Sequence, residues 1–374
     1  MLVFGTRPEA IKMAPVLTEL QRHPDRVTPI VVVSAQHRQM LDSVLELFEI
    51  VPHHDLDLMR PDQDLFDVTA RALTGLRDVI AAEKPHLILV QGDTTTAFVG
   101  ALAGVYARVP VGHVEAGLRT GNRHNPYPEE LNRKLVGSLA DVHFAPTPQS
   151  RDHLLAETVP ADRVLVTGNT VVDALLTIAQ RPLEDAPPEL AGVSREAKLL
   201  LVTAHRRESF GEPLEQMFTA LRRTAERHAD VEIVYPVHMN PNVRKAAHAI
   251  LAGAPRIHLI EPLAYDRFVQ VMRRAHIILT DSGGIQEEAP SLGKPVLVMR
   301  ETTERPEGIA AGTVRLVGTR AASIEAGVSA LLDDPREYAA MATAKNPYGD
   351  GRASERIVQW ILEHSSGDAR LAYS

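Results

Sequence analysis

The chain has 374 residues, which exceeds one comfortable hydrophobic core and indicates two domains. Its 44% apolar content is ordinary for a globular protein, and the absence of cysteine excludes disulfides, thiolate metal ligands and cysteine nucleophiles. The net charge of −8 argues against a general binder of nucleic acid or of acidic membranes, and no apolar run approaches the length that spans a bilayer.

Strands and helices alternate from the N-terminus onward. Strands are predicted at residues 2–4, 30–33, 86–90, 111–114, 143–145 and 164–166. Helical patterns lie between them, at residues 7–23, 40–48, 65–82, 95–107, 129–139 and 149–156. This alternation predicts a parallel sheet with helices on both faces. Because the first strand begins at once, without the features of a signal peptide, we expect a cytoplasmic protein.

A looser segment with three prolines, residues 181–194, interrupts the alternation, and we interpret it as part of a domain junction. Further strands are then predicted at residues 199–202, 231–234, 257–260, 276–279, 295–298 and 314–317. The sequence therefore predicts an α/β protein with two doubly wound domains. Open sheets of this kind bind ligands at the carboxyl ends of their strands, so we expect a cleft there.

The stretch T-D-S-G-G-I-Q-E-E-A-P-S-L-G-K-P-V-L-V, residues 280–298, has the form of a strand, a glycine turn and a helix. Glycines let the backbone approach a ligand, and the N–H groups of the first helical turn favour an anion such as phosphate. An ordinary helix cap would have the same form. In G-T-R-P-E-A-I-K, Arg7 and Lys12 follow the first strand, where phosphate binding and plain surface charge are both open interpretations.

Carboxylates follow two successive predicted strands. Asp93 lies in Q-G-D-T-T-T and Glu115 in G-H-V-E-A-G-L-R-T, so in a parallel sheet the two could face each other. Paired carboxylates suit proton transfer to and from carbon. The alternatives are that Asp93 only caps the next helix and that Glu129 only complements a helix dipole.

The second half carries basic residues at its predicted strand ends. His205 and Arg206 lie in T-A-H-R-R-E-S-F-G, His238 lies in P-V-H-M-N-P, and Arg305 lies in T-T-E-R-P. We therefore expect one basic and one acidic side to the cleft, as a substrate with a phosphate end and a proton-transfer end requires.

Two further patterns bear on metals and cofactors. H-H-D-L-D, residues 53–57, could be a metal cluster or the D-x-D of a glycosyltransferase, but its alternation favours the solvent face of an edge strand. Neither G-x-G-x-x-G nor G-x-x-x-x-G-K-[ST] occurs, so neither NAD nor ATP is expected.

Taken in order, the motifs resemble those of the non-hydrolysing UDP-N-acetylglucosamine 2-epimerases of bacteria. The resemblance runs from Val3 to about Trp360 and rests on G-T-R-P-E-A-I-K-M-A-P, A-Q-H-R-Q-M-L, G-D-T-T-T, G-H-V-E-A-G-L-R-T, P-E-E-L-N-R, G-N-T-V-V-D-A-L, H-R-R-E-S-F-G, Y-P-V-H-M-N-P-N-V-R, T-D-S-G-G-I-Q-E-E-A-P-S-L-G-K-P-V-L-V-M-R and N-P-Y-G-D-G. Family members usually have a few more residues before V-F-G-T-R, a departure that concerns the packing of the first strand.

The resemblance implies the GT-B architecture of two Rossmann-like domains, here residues 1–168 and 169–353, with the last helix and tail, about 354–374, packing back on the first. It implies reversible conversion of UDP-N-acetylglucosamine to UDP-N-acetylmannosamine without a cofactor or a metal. It also implies a homodimer that supplies cell-envelope polysaccharide.

The resemblance also implies roles for single residues. Substrate contacts fall on Arg7, Lys12, Asp93, Glu115, His205, Phe268, Ser282, Gly283, Gly284, Glu288 and Arg305. Catalytic roles fall on Asp93, Glu115, Glu129 and His205. The residues that match an activating second UDP-N-acetylglucosamine are Gln36, Gln39, Arg206 and His238.

The chemistry of the reaction agrees with these roles. The C2–H of the sugar has no neighbouring ring carbonyl, so UDP must leave first and an acid/base pair must move the proton. Three alternatives remain. A hydrolysing epimerase would release free N-acetylmannosamine, and a GT-B glycosyltransferase would require an acceptor. A non-enzymatic sugar-nucleotide sensor would show no turnover.

Overall fold

A computed structural model describes residues 1–35, 38–60, 63–182 and 188–364. The chain divides into two compact units. One unit comprises Met1–Ala174 and the chain from Tyr348 onward, and the other comprises Leu175–Pro347. Each unit contains one all-parallel sheet, which confirms the predicted α/β class with two doubly wound sheets.

The sheet of the first unit has the strand order β3-β2-β1-β4-β5-β6-β7. Its strands are β1 (Leu2–Phe4), β2 (Val31–Val33), β3 (His54–Asp55), β4 (Ile88–Gln91), β5 (Val111–Val114), β6 (Val142–Ala145) and β7 (Val164–Val166). The inner strands are mostly apolar and fully buried, as expected for a parallel sheet with helices on both faces. The order reverses between β1 and β4, and such a switch point is where open sheets bind ligands.

The helices of the first unit lie between these strands and after the last of them. They are α1 (Arg7–Gln21), α2 (Arg38–Leu47), α3 (Leu65–Glu83), α4 (Thr95–Ala107), α5 (Glu129–Leu139), α6 (Pro148–Ala156), α7 (Thr170–Ala179), which continues into the second unit, and, from the C-terminus, α15 (Ala353–His364). Helix α4 is apolar on nearly all sides because it packs between the sheet and α3 and α5.

The sheet of the second unit has the order β10-β9-β8-β11-β12-β13. Its strands are β8 (Lys198–Thr203), β9 (Val231–Pro236), β10 (Ile257–Ile260), β11 (Ile277–Thr280), β12 (Val296–Val298) and β13 (Val314–Leu316). Its helices are α8 (Glu212–Arg227), α9 (Pro241–Leu251), α10 (Tyr265–Arg274), α11 (Gly283–Glu288), α12 (Pro306–Ala310), α13 (Ala321–Asp333) and α14 (Pro335–Ala342). Here the order reverses between β8 and β11.

Helix α15 is fastened to the first unit by a buried carboxylate. Asp173 accepts hydrogen bonds from the N–H groups of Ala353 (3.2 Å) and Ser354 (2.8 Å) and from the Ser354 hydroxyl (2.6 Å). Trp360 packs edge-on against Phe144 of β6, with ring centroids 5.7 Å apart. These contacts satisfy the first turn of the helix and bury its apolar face.

The segment H-H-D-L-D forms an edge strand only in part. His54 and Asp55 form β3, whereas Asp57 lies beyond it with a φ of 45°. The two histidines bind protein groups, His53 Nδ1 accepting from the Val31 N–H (3.1 Å) and His54 Nε2 lying 2.6 Å from Glu83. The strand prediction is therefore confirmed for residues 54–55 and is wrong for Asp57.

Within the described ranges, no helix is both long and apolar enough to cross a bilayer.

Candidate functional site

Glu115 lies directly after β5 and is held by residues from two other elements. Its carboxylate accepts a hydrogen bond from Gln91 Nε2 at the end of β4 (2.7 Å) and forms an ion pair with Lys12 Nζ of α1 (2.5 Å). The backbone of Glu115 is in the left-handed region, with a φ of 63°, which is uncommon for a residue with a side chain. The structure thus brings together two of the predicted site residues, Lys12 and Glu115.

Asp93 is held by two consecutive residues of α5. Its carboxylate forms an ion pair with Arg133 Nη2 (2.6 Å), and its carbonyl accepts from Asn132 Nδ2 (2.9 Å). The N-cap of α4 is Thr94, whose hydroxyl accepts from the Ala97 N–H (3.0 Å). The alternative that Asp93 caps this helix is therefore wrong. The sequence analysis missed Arg133, although it belongs to the P-E-E-L-N-R motif.

The two glutamates that open α5 have different environments. Glu130 is fully buried and accepts from the N–H groups of Thr120 and Gly121 (3.0 Å each) and from Arg133 Nη1 (3.0 Å). Glu129 is half-buried and makes no hydrogen bond or ion pair with the part of the chain that the structure describes. Glu130 therefore has a structural role, which leaves Glu129 available for chemistry.

Glu9, which the sequence analysis also missed, connects the turns after β1 and β4. It is 1% exposed and accepts from the Gly5 N–H (3.0 Å), the Thr6 N–H and hydroxyl (2.8 Å each) and the Thr94 hydroxyl (2.6 Å). Burial raises the pKa of Glu9, while these donors act in the opposite direction. The T-x-x-E spacing of a capping box was the available signal. Arg7, half-buried, lies within this turn.

In the second unit, Ser282 is the N-cap of α11, and Gly283 and Gly284 form its first turn. A Cβ atom on Gly283 would lie 3.3 Å from Glu304 Oε1 and 3.6 Å from Arg206 Nη2, so the turn packs closely against these side chains. A Cβ on Gly284 would meet only the Ser282 hydroxyl, at 4.0 Å. There is consequently open space beside Gly284, where an anion can approach the N–H groups of the turn.

The arginines beside this turn are all paired with carboxylates. Arg206 Nη2 lies 2.8 Å from Glu304, Arg300 Nη1 lies 2.5 Å from Glu304, and Arg305 forms an ion pair with the buried Glu287. Burial acts to raise the pKa of Glu304, but these neighbouring arginines outweigh it and lower the pKa to about 2. The expected basic side is therefore a network of compensated charges, because buried cations require partners.

His205 follows β8 and lies beside the buried Asp281. Its ring stacks on His238, with centroids 5.2 Å apart and an interplanar angle of 13°. Burial lowers the pKa of His205, and the neighbouring His238 and Arg206 also lower it. The carboxylate of Asp281 acts in the opposite direction. Two predicted site residues, His205 and His238, are thus in contact.

Glu288 ends α11 and is 6% exposed. Its Oε1 accepts from the Tyr265 hydroxyl of α10 at 2.7 Å. Phe268 lies one helical turn after Tyr265 and is half-buried, so the two share a face of α10. The sequence analysis missed Tyr265, which fixes the carboxylate that the resemblance assigns to ribose hydroxyls.

The structure describes two of the four residues predicted for the activating site in full. Gln36 lies outside the described residues, and Gln39 lies in α2, where only the backbone is described. The other two, Arg206 and His238, lie together with His205 at the ends of β8 and β9.

Comparisons with known proteins show the family of the chain. The family model UDP-N-acetylglucosamine 2-epimerase matches residues 18–362. The chain is 54% identical over 364 residues to UDP-N-acetylglucosamine 2-epimerase of Bacillus subtilis (strain 168), covering 97% of this chain and 95% of the relative.

Solved structures show the same similarity. A crystal structure of UDP-GlcNAc 2-epimerase from Neisseria meningitidis, bound to UDP-GlcNAc, has a TM-score of 0.90 at 49% identity and covers 97% of this chain and 99% of its own. One from Methanocaldococcus jannaschii, in complex with UDP-GlcNAc and UDP, has a TM-score of 0.79 at 30% identity, with coverage of 97% and 99%. The chain belongs to the UDP-N-acetylglucosamine 2-epimerase family.

Proposed function

We propose that this protein catalyses the reversible epimerisation of UDP-N-acetylglucosamine at C2 to UDP-N-acetylmannosamine, without net hydrolysis. The observation that carries the proposal is the arrangement of acidic groups in the first unit. Asp93 and Glu115 are each ion-paired at neighbouring strand ends, and Glu129 is half-buried and uncommitted within the described chain. The known relatives that bind UDP-GlcNAc supply the substrate class.

The reaction proceeds by elimination and re-addition. A carboxylate takes the C2 proton as the C1–O bond breaks, which gives 2-acetamidoglucal and UDP. UDP then adds back to C1 while a proton is delivered to the opposite face of C2. Atoms balance without a redox cofactor, because the proton lost from one face is replaced on the other.

The ion pairs favour a division of labour among the three carboxylates. Lys12 and Arg133 form ion pairs with Glu115 and Asp93 and so hold these two carboxylates in place, which suits a proton acceptor. The Glu129 carboxylate forms no ion pair with the described chain, so it is the group whose position leaves it able to approach the sugar as proton donor. His205 assists departure of the anionic UDP.

The second unit binds the nucleotide. The Ser282–Gly284 turn donates N–H groups to the diphosphate, Glu288 accepts from the ribose hydroxyls, and Phe268 contributes an apolar surface. Arg305 offsets the negative charge, and the resemblance assigns the same role to Arg7. A second UDP-N-acetylglucosamine binds near Arg206 and His238 and activates the enzyme. The enzyme is a cytoplasmic homodimer that supplies N-acetylmannosamine units for cell-envelope polysaccharide.

Incubation with UDP-N-acetylglucosamine alone in heavy water, followed by proton NMR, tests the proposed reaction. We expect UDP-N-acetylmannosamine with deuterium at C2, and the same equilibrium mixture from either epimer. Free N-acetylmannosamine with stoichiometric UDP would instead identify a hydrolysing enzyme. Product formed only after addition of an acceptor would identify a glycosyltransferase, and the absence of any turnover would identify a sensor. Epimerisation without deuterium at C2 would exclude the elimination scheme.

A further inference from the structure

Asp281, in T-D-S-G-G between β11 and α11, is fully buried and contacts the turn after β8. Its Oδ2 accepts from the N–H groups of His205 (2.6 Å) and Arg206 (2.8 Å). Its backbone carbonyl accepts from Arg206 Nε (3.1 Å). These bonds fix the plane of the carboxylate and leave Oδ1 pointing away from the backbone.

Oδ1 of Asp281 has no hydrogen-bond partner in the described chain, although it is completely shielded from solvent. Nδ1 of His205 lies 3.3 Å away from it. A buried carboxylate oxygen without a donor is unfavourable, so the approach of a ring N–H relieves an otherwise unsatisfied group. Only the tautomer of His205 with the proton on Nδ1 provides that donor.

We propose that Asp281 is a positioning residue for His205, which holds the proton on Nδ1 and turns Nε2 toward the diphosphate of the nucleotide. This proposal rests on the proposed function, since it deepens the role of His205 in binding and releasing UDP. When an anionic oxygen of the ligand approaches Nε2, that nitrogen takes up a proton from solvent and becomes a donor. Asp281 then balances the imidazolium charge.

The groups around the ring set how readily it takes up that proton. His238 stacks on one face, Arg206 is the next residue, and Asp281 faces Nδ1. Burial lowers the pKa of His205, and the two basic neighbours lower it further. Among these described groups, Asp281 is the one that favours the cation. A bound diphosphate adds negative charge, which raises the pKa of His205 in the complex above its value in the free protein.

The substitution Asp281→Asn should reverse the tautomer of His205 while it preserves the local structure. In Asp281→Asn, the amide oxygen can still accept from the two backbone N–H groups, while the NH₂ group faces His205 Nδ1. The ring must then present a lone pair at Nδ1 and carry its proton on Nε2. The tautomer is reversed with little change in shape.

Nitrogen-15 NMR of histidine-labelled protein, with His205 assigned by His205→Gln, reads the tautomer directly. We expect the neutral ring to be protonated on Nδ1 in the unmodified protein and on Nε2 in Asp281→Asn. Calorimetry of UDP binding in two buffers of different ionisation enthalpy should show proton uptake above the free-protein pKa, and none in Asp281→Asn. UDP affinity should fall with rising pH only in the unmodified protein, and Asp281→Asn should lower it about 10- to 100-fold.

Tyr235→Phe is the matched control, because it removes a different buried hydrogen bond of the same turn, the one from the Tyr235 hydroxyl to the Ala204 carbonyl (2.6 Å). It should leave the tautomer and the proton uptake unchanged. An Nε2–H tautomer in the unmodified protein, or UDP binding without proton uptake, would overturn the role of Asp281. The tautomer measurement requires no turnover, so its outcome is independent of whether epimerisation occurs.

Discussion

The two units place charge at their switch points in opposite ways. In the first unit the candidate chemical groups are carboxylates, and Lys12 and Arg133 reach them from helices to stabilise the negative charge. In the second unit the candidate ligand-binding group is a backbone turn, and the cations around it are fixed by carboxylates such as Glu304. The first arrangement suits proton transfer, and the second suits an anion that must bind and leave.

The largest effect should follow from neutralising the carboxylates of the first unit. We expect Asp93→Asn, Glu115→Gln and Glu129→Gln to lower kcat by about 10²- to 10⁴-fold, the range for a lost general acid or base. UDP affinity, measured by calorimetry, should change little because the proposed nucleotide site lies in the other unit. Asp78→Asn, at an exposed position of α3, is the control. A variant that lost UDP affinity and turnover in parallel would contradict the division between the units.

The complementary change is Gly284→Asp. A carboxylate in the open space beside the turn would occupy the position of the diphosphate and repel it, so UDP affinity should fall by at least about 100-fold. Ala322→Asp introduces the same charge at an exposed first-turn position of α13 and should leave UDP affinity intact. If calorimetry gave unchanged UDP binding for Gly284→Asp, the turn would not belong to the site.

A smaller effect concerns stability and its pH dependence. Because the pKa of Glu304 is lowered to about 2, its ion pairs stabilise the fold above the ordinary pKa of glutamate, and this contribution disappears as the pH falls toward 2. Glu304→Gln should lower the free energy of unfolding at pH 7 by about 3 kcal/mol and flatten its decline in acid.

Glu337→Gln provides the comparison for that prediction, since Glu337 pairs with Arg315 at 3.1 Å with both side chains partly exposed. We expect a change of less than about 1 kcal/mol in chemical denaturation. Equal effects of the two substitutions would show that the Glu304 network is no stronger than a surface ion pair.

Much of the fold could be predicted from the sequence, because buried parallel strands are continuous apolar runs with glycines and polar residues at their ends. Strands β1, β5, β7 and β10 have the predicted bounds, and the others differ by one or two residues at an end. The exception was Asp57, where local alternation suggested a strand but the chain turns with a positive φ.

The site was predicted less completely, and the omissions have one physical cause. Motifs identify residues near strand ends, but the partners of those residues arrive from distant parts of the chain. Arg133 reaches Asp93 across 40 residues of sequence, and Glu9 binds Thr94 from another helix. Asp281 lies within the T-D-S-G-G motif, yet its contact with His205 depends on the pairing of β8 with β11. Such partners become visible only when the strand order is known.

The left-handed backbone of Glu115 imposes a conformational cost on a residue with a proposed catalytic role. A glycine would adopt a φ of 63° at a lower conformational cost than any residue with a Cβ atom, so the glutamate occupies a position that its own backbone disfavours. Its pairing with Lys12 and Gln91 offsets part of that cost in the resting protein. Replacement of Lys12 would remove part of this compensation and leave the contact with Gln91, so the position of the Glu115 carboxylate depends on both partners.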